Sequence, residues 1–315
     1  MSNQLRYDGQ VAVITGAGNG LGKVYALFFA SRGAKVVVND LGGSMSGSCR
    51  SLLYHFANYV TGDGASNRAA DLVVEEIKKA GGEAVADYNS VSDNGAGIIK
   101  TAVEKFGRVD ILINNAGILR DTSFVKMTEK DWDAVYSVHV KGTFLVTKAA
   151  WDVMRKQSYG RIINVTSTAG LYGNFGQANY SMAKLGLLGL AKTLALEGEG
   201  KGILVNTIAP LAASRLTETA LPAEILNFLK PEAVIPLVGY LCHSSCSENG
   251  QVYEVGAGWF AKLRWQRSEG LLLDPKKGLT PEDVRDQWNK VEDWNRVSYP
   301  VSASDSFAEI MKAKL

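Results

Sequence analysis

Short, nearly unbroken apolar runs recur along the chain, and most are followed by a stretch with helical spacing. "QVAVIT" (10–15), "AKVVVND" (34–40), "EAVADY" (83–88), "VDILINNAG" (109–117), "GRIINVTS" (160–167), "ILVNTIAP" (203–210) and "QVYEVGAG" (251–258) have the length and β-branched content of strands. "KVYALFFASRG" predicts a helix ending at Gly33, 66–80 predicts one that stops at Gly81-Gly82, and 93–106 predicts another. Thr128, with Asp131 three residues on, predicts the N-cap of a long helix running through Gln157. A further helix carries Tyr180 and Lys184 and runs to about Gly198. Strands apolar on both faces, alternating with helices, predict a parallel sheet covered on both sides. Right-handed crossovers then give a doubly wound α/β fold of seven strands, with residues 1–260 as one Rossmann-type domain. In the extension, 261–315, Thr280 as N-cap and Pro281 at the first position predict one more helix.

Composition narrows the classes of function. The chain of 315 residues is 46% hydrophobic and 21% charged, an ordinary globular balance. Its net charge of +2, without a long basic stripe, argues against a nucleic-acid partner. No apolar run reaches the length of a membrane span, and "MSNQLRYDGQ" lacks the apolar region of a signal peptide. Cys49, Cys242 and Cys246 are an odd number, which fits a reducing compartment better than a disulfide framework. "CHSSC" (242–246) crowds its ligand types onto one segment with no second cluster, so helix-end packing is favoured over a metal.

The candidate chemistry begins at "TGAGNGLG" (15–22), between a strand and a helix. In that setting Gly16, Gly18, Gly20 and Gly22 allow a tight turn and close approach of a pyrophosphate, with Asn19 and Leu21 in the same turn. Asp40, about twenty residues on, stands where an acid binds the adenosine ribose hydroxyls. It would repel the additional phosphate of NADP by roughly 3 kcal/mol at about 5 Å and a dielectric near 20. No basic residue follows it, so NAD is expected. Asn115, Ala116 and Gly117 follow the fourth strand at the ligand crevice, and Pro210 ends the sixth.

Tyr180 and Lys184 lie four residues apart, on one helical face. Hydride removal from an alcohol needs a base for the hydroxyl proton, and a free phenol with a pKa near 10 is a poor one. An ammonium about 4 Å away supplies on the order of 4 kcal/mol, enough to make Tyr180 acidic. Ser167, ending the fifth strand, would hold the substrate oxygen.

"TGAGNGLG", "NNAG", Ser167 and "YSMAK" together resemble the short-chain dehydrogenase/reductase family over roughly residues 8–260. The resemblance implies Ser167, Tyr180 and Lys184 as catalytic residues, with Lys184 also on the nicotinamide ribose. Many members carry a further catalytic asparagine in an N-x-x-G pattern; here "VHVKGTF" puts His139 there, as a water-linked relay or as a packed helix histidine. Leu211 after Pro210 stands where most members have glycine.

"VVVNDLGG", "NNAGILRD", "LYGNFGQANYS" and "GAGWFAKLRWQR" resemble the dehydrogenase units of the peroxisomal multifunctional enzyme type 2 group. That resemblance implies NAD-dependent oxidation of (3R)-3-hydroxyacyl-CoA in fatty-acid β-oxidation and a homodimer. Ala313-Lys314-Leu315 is similar to the S-K-L peroxisomal address, which implies an import receptor, a peroxisomal location and a complete C-terminus. "SCRSLLYHFANYVT" (48–61) departs from the group as an insertion beside the expected adenosine site. The same catalytic residues serve any secondary alcohol, so a 17β-hydroxysteroid dehydrogenase is the alternative enzyme. A nucleotide-binding regulatory protein is the non-catalytic one.

Overall fold

Alternation along each strand decides which helical layer its side chains meet. The computed structural model describes residues 4–42, 68–211 and 229–312. The expected insertion at 48–61 and the C-terminal tripeptide lie outside them. In β1 (Val11–Thr15), Ala12 and Ile14 enter one core with Tyr25 and Phe29 of α1 (Gly20–Ser31), while Val11 and Val13 enter the other. Next come β2 (Lys35–Asn39), α2 (Arg68–Lys79), β3 (Glu83–Asp87), α3 (Val91–Phe106) and β4 (Ile111–Asn114). The long helix follows as α4 (Glu129–Tyr136), a π-helical segment (Ser137–Gly142) and α5 (Thr143–Gln157). Thr128 and Asp131 form the expected capping box at its start. The sheet then adds β5 (Gly160–Val165), β6 (Ile203–Pro210) and β7 (Val252–Gly256), with α6 (Thr168–Tyr172), α7 (Ala178–Gly198) and α8 (Ile235–Cys242) between them. Val146, Ala150 and Met154 of α5 and Ala191 of α7 pack on the Val13 side of the sheet.

The strand order is β3-β2-β1-β4-β5-β6-β7-β8, and the neighbouring pairs from β3 through β7 run parallel. The order reverses between β1 and β4, which opens a crevice above their carboxyl ends. The sheet has eight strands rather than seven. Ala257 and Gly258, with φ of 51° and 80°, turn the chain at once into β8 (Trp259–Leu263). A two-residue turn of this kind joins antiparallel strands. β8 is largely exposed, so neither a buried run nor a strict alternation marks it in the sequence.

Three further differences have local causes. The predicted long helix is interrupted by its π segment. α6 is too short to show a period, and α8, "IPLVGYLC", is apolar nearly all round, so neither stands out as a helix in the sequence. Cys242 ends α8 and is buried in the core, as is Cys246.

The chain forms two compact units, Met1–Lys262 and Leu263–Leu315. Within the second, β9 (Arg267–Ser268) pairs antiparallel with β10 (Val297–Ser298). Thr280 caps α9 (Pro281–Asp286) through a capping box, but the predicted single helix breaks at Gln287 before α10 (Trp288–Val291). A last helix, α11 (Ser304–Lys312), closes the described chain.

Candidate active site

The crevice above β1 and β4 is fixed first by backbone. Thr15 Oγ1 accepts the amides of Asn115 (3.0 Å) and Ala116 (3.1 Å), and Asn115 Nδ2 donates to the carbonyls of Thr15 (3.0 Å) and Gly16 (3.1 Å). These bonds draw the "NNAG" loop against the glycine turn. A Cβ on Gly16 would lie 2.8 Å from Ala116 Cα, and one on Gly22 would lie 2.2 Å from Gly16 O. Both glycines therefore make room for this chain's own backbone, whereas the sequence reading gave that room to a ligand. Gly20 differs: its φ is +52° and nothing lies within 4 Å of its Cβ position, which leaves the turn open there. Asn19 caps α1 by accepting the Gly20 amide at 2.8 Å. The first-turn amides of Leu21 and Gly22 have no acceptor one turn earlier in the helix.

Asp40, after β2, is buried and accepts from the amides of Gly18 (2.7 Å) and Gly42 (2.8 Å). Burial pushes its carboxyl up, and the two amides pull it back. The acid thus ties the end of β2 to the glycine turn. Pro210 ends β6 beside Val255, and the Leu211 amide donates to Val255 O at 2.7 Å. The departure at Leu211 has a local answer in Gly256, where a Cβ would sit 2.4 Å from Leu211 O.

The residues expected to react gather one strand further on. Ser167 caps α6, accepting the Ala169 amide at 3.2 Å, and its hydroxyl stands close enough to the Tyr180 phenol to pull that group's titration down. Lys184 is buried, its Nζ donates to Val165 O at 2.6 Å, and that nitrogen lies 5.6 Å from the centre of the Tyr180 ring. His139, from the π segment, meets the Tyr180 ring edge to face, with centroids 5.3 Å apart and planes at 90°. Ser167, Tyr180, Lys184 and His139 are thus brought together from three elements.

Their protonation departs from the sequence-based expectation. Burial pushes the Tyr180 phenol up to about 12; Ser167 opposes that shift and Asp121 adds to it. Burial likewise pushes Lys184 down to about 7. An acidic phenol paired with a fully charged lysine is therefore not the resting arrangement, because desolvation disfavours both charged forms.

Sequence reasoning missed Asp121, Gln177 and Asn179. Gln177 Nε2 donates to Asp121 Oδ2 at 2.7 Å, and the Thr122 amide donates to Gly176 O at 2.9 Å. Asn179 Oδ1 accepts the Tyr180 amide at 2.7 Å, and its Nδ2 donates to Arg120 O at 3.2 Å. These bonds hold the start of α7 to the loop after β4. The signal available was the polar trio Gln177, Asn179 and Tyr180 at a helix start.

The short chain dehydrogenase family model matches residues 48–223. The chain belongs to the short-chain dehydrogenase family. Dehydrogenases of this family work with a nicotinamide cofactor, and the open turn at Gly20, the amides at the start of α1 and the Asp40 carboxylate fit the phosphates and ribose of such a group. Among relatives, the chain is 56% identical over 309 residues to peroxisomal multifunctional enzyme A of Dictyostelium discoideum, covering 98% of this chain and 66% of that protein. The structure of full-length peroxisomal multifunctional enzyme type 2 from Drosophila melanogaster matches with a TM-score of 0.80 and 45% identity, covering 98% of this chain and 50% of the other. A short chain dehydrogenase from Mycobacterium avium matches with a TM-score of 0.75 and 40% identity, covering 90% and 94%. This dehydrogenase chain thus spans two thirds or less of the multifunctional relatives and nearly all of the bacterial one.

Proposed function

We propose that this chain oxidises (3R)-3-hydroxyacyl-CoA to 3-ketoacyl-CoA with NAD, in peroxisomal fatty-acid β-oxidation. The observation that carries this reading is the convergence of Ser167, Tyr180 and Lys184 beside the glycine turn, in a chain similar over 98% of its length to peroxisomal multifunctional enzymes. In this reading Ser167 holds the substrate C3 oxygen and Tyr180 takes its proton. Lys184 fixes the ribose and lends positive charge as it protonates. A bound nicotinamide would supply the hydride acceptor and, in its oxidised form, a positive charge that favours the Tyr180 phenolate. Asp40 supports NAD over NADP: two backbone amides hold its carboxylate after β2 beside the glycine turn, where an acid in such folds meets the adenosine ribose.

The groove between the long helix, from the end of α4 through the π segment into α5, and α7, lined by Tyr136, Val140, Lys141, Phe144, Leu187 and Leu190, supports a homodimer through these helices. Ala313-Lys314-Leu315 supports recognition by the peroxisomal import receptor. The deciding experiment follows nicotinamide reduction with each hydroxyacyl-CoA enantiomer and with NAD or NADP. Turnover of the 3R form with NAD is expected; turnover of the 3S form alone overturns the reading.

A further inference from the structure

His139 stands where many family members carry a catalytic asparagine, and its surroundings assign it different work. The side chain is 1% exposed. Nε2 lies 3.0 Å from the Ile118 amide nitrogen and 2.8 Å from the Ile118 carbonyl oxygen, so in either neutral tautomer this one nitrogen bonds the Ile118 backbone in the loop after β4. Nδ1 is buried and has no hydrogen-bond partner among the described residues. Charging the ring would place N–H groups on both nitrogens, and the one on Nδ1 would have no acceptor. A Cβ on Gly117 would lie 2.4 Å from His139 Cε1, so the imidazole occupies space that any other residue at 117 would fill. The ring also meets the Tyr180 ring edge to face, with centroids 5.3 Å apart. The backbone that carries His139 is the π-helical segment Ser137–Gly142, and such segments interrupt helices most often at functional sites.

We propose that His139 is the wedge that fixes Tyr180: a positioning residue whose imidazole, seated in the space Gly117 leaves, holds the phenol at the crevice without exchanging a proton itself. The proposal rests on Tyr180 as the base. Three observations favour a wedge over a relay. The Nε2 grip on Ile118 uses the nitrogen a relay would need. Among the described residues, Tyr180 and Lys184 of α7 and the Ile118 backbone face the ring, with no carboxylate among them to stabilise an imidazolium. Burial, with the field of Lys184 adding to it, pushes the ring down to about 3, far from the range in which a relay would work. Gly117 in turn has a reason for being glycine that owes nothing to a cofactor.

The test uses the full chain and four variants: His139→Ala, His139→Gln, Gly117→Ala, and Gly117→Ala combined with His139→Ala. Loss of the wedge should lower kcat by about 10- to 100-fold, as expected for a misplaced reacting group. The acid limb of the kcat/KM profile should stay in place. His139→Gln retains a group able to reach Ile118 and should recover part of kcat with the same profile. Gly117→Ala should lower the melting temperature in the parent but have little effect once His139 is alanine, because the clash is gone. Additive melting effects would refute the seating of the ring in the Gly117 space. Loss or displacement of the acid limb in both His139 variants would refute the passive role. Should His139→Ala not fold, His139→Gln decides the passive role, and Gly117→Ala in the parent decides the seating, since an unchanged melting temperature would refute the clash with the ring. Undiminished turnover by Tyr180→Phe would instead remove the base assignment, a result separate from the melting data.

Discussion

At the turn after β1 the site is built from backbone: Gly22 has no side chain where Gly16 O would meet it at 2.2 Å, and Asn115 bridges two carbonyls of the same turn. At the start of α7 it is built from buried side chains: a phenol raised to about 12, a lysine lowered to about 7 and an imidazole with an unpaired nitrogen. The first region is held by shape, and its amides keep their character at any ordinary pH. The second is held by desolvation, so its charges await the arrival of others. Recognition at the turn and chemistry at Tyr180 should therefore separate under mutation. The largest expected separation is at the phenol. Tyr180→Phe should lower kcat by about 10³- to 10⁴-fold. NADH affinity, read by fluorescence titration, should change by less than about threefold, because the turn and Asp40 are untouched. A loss of affinity as large as the loss of turnover would merge the two regions.

The next effect belongs to the turn. Asp40→Ser removes a charge that should oppose a ribose phosphate by about 3 kcal/mol, so the ratio of kcat/KM for NADP over NAD should rise about 100-fold. Part of that change should come from weaker use of NAD, since the Gly18 and Gly42 amides lose their acceptor. An unchanged ratio would remove Asp40 from the ribose site. A smaller effect separates the glycines themselves. Gly22→Ala should destabilise the fold by about 1–3 kcal/mol through overpacking. Gly20→Ala meets no atom within 4 Å and should cost about 1–2 kcal/mol from its positive φ alone. Thermal melts of the two variants check that order.

The sheet and the meeting of Tyr180 with Lys184 were legible in the sequence because each rests on a local regularity. Five of the seven apolar runs lie between helices along the chain, on a sheet whose two faces are both covered, and Tyr180 and Lys184 need only one helical face to meet. What stayed hidden depends on contacts between distant segments. β8 is exposed and carries no burial pattern. The neutralising effect of burial on Tyr180 and Lys184 follows from how α7 packs over β5, which no spacing encodes. Gly117 reads as a loop glycine until His139 is seen against it. Asp121 reads as a loop acid until Gln177, fifty-six residues on, holds it to the start of α7.

Asp121 therefore offers the finest test of how charge and shape divide the site. Its field raises the Tyr180 phenol, working against the role proposed for that residue, while its bond to Gln177 helps fix the helix that carries it. Asp121→Asn keeps an oxygen for Gln177 Nε2 and removes the charge. The sign follows directly: with one negative neighbour fewer, the phenolate is less disfavoured, so Tyr180 titrates lower than in the parent. The acid limb of kcat/KM should move to lower pH, with a gain of less than about tenfold below the limb and an unchanged plateau. Gln177→Ala does the reverse, keeping the charge and releasing the tether, so it should lower the plateau and leave the limb in place. If Asp121→Asn leaves the limb where it was and lowers the plateau instead, Asp121 acts through shape alone, and the end of the site assigned to charge would be held as the glycine turn is.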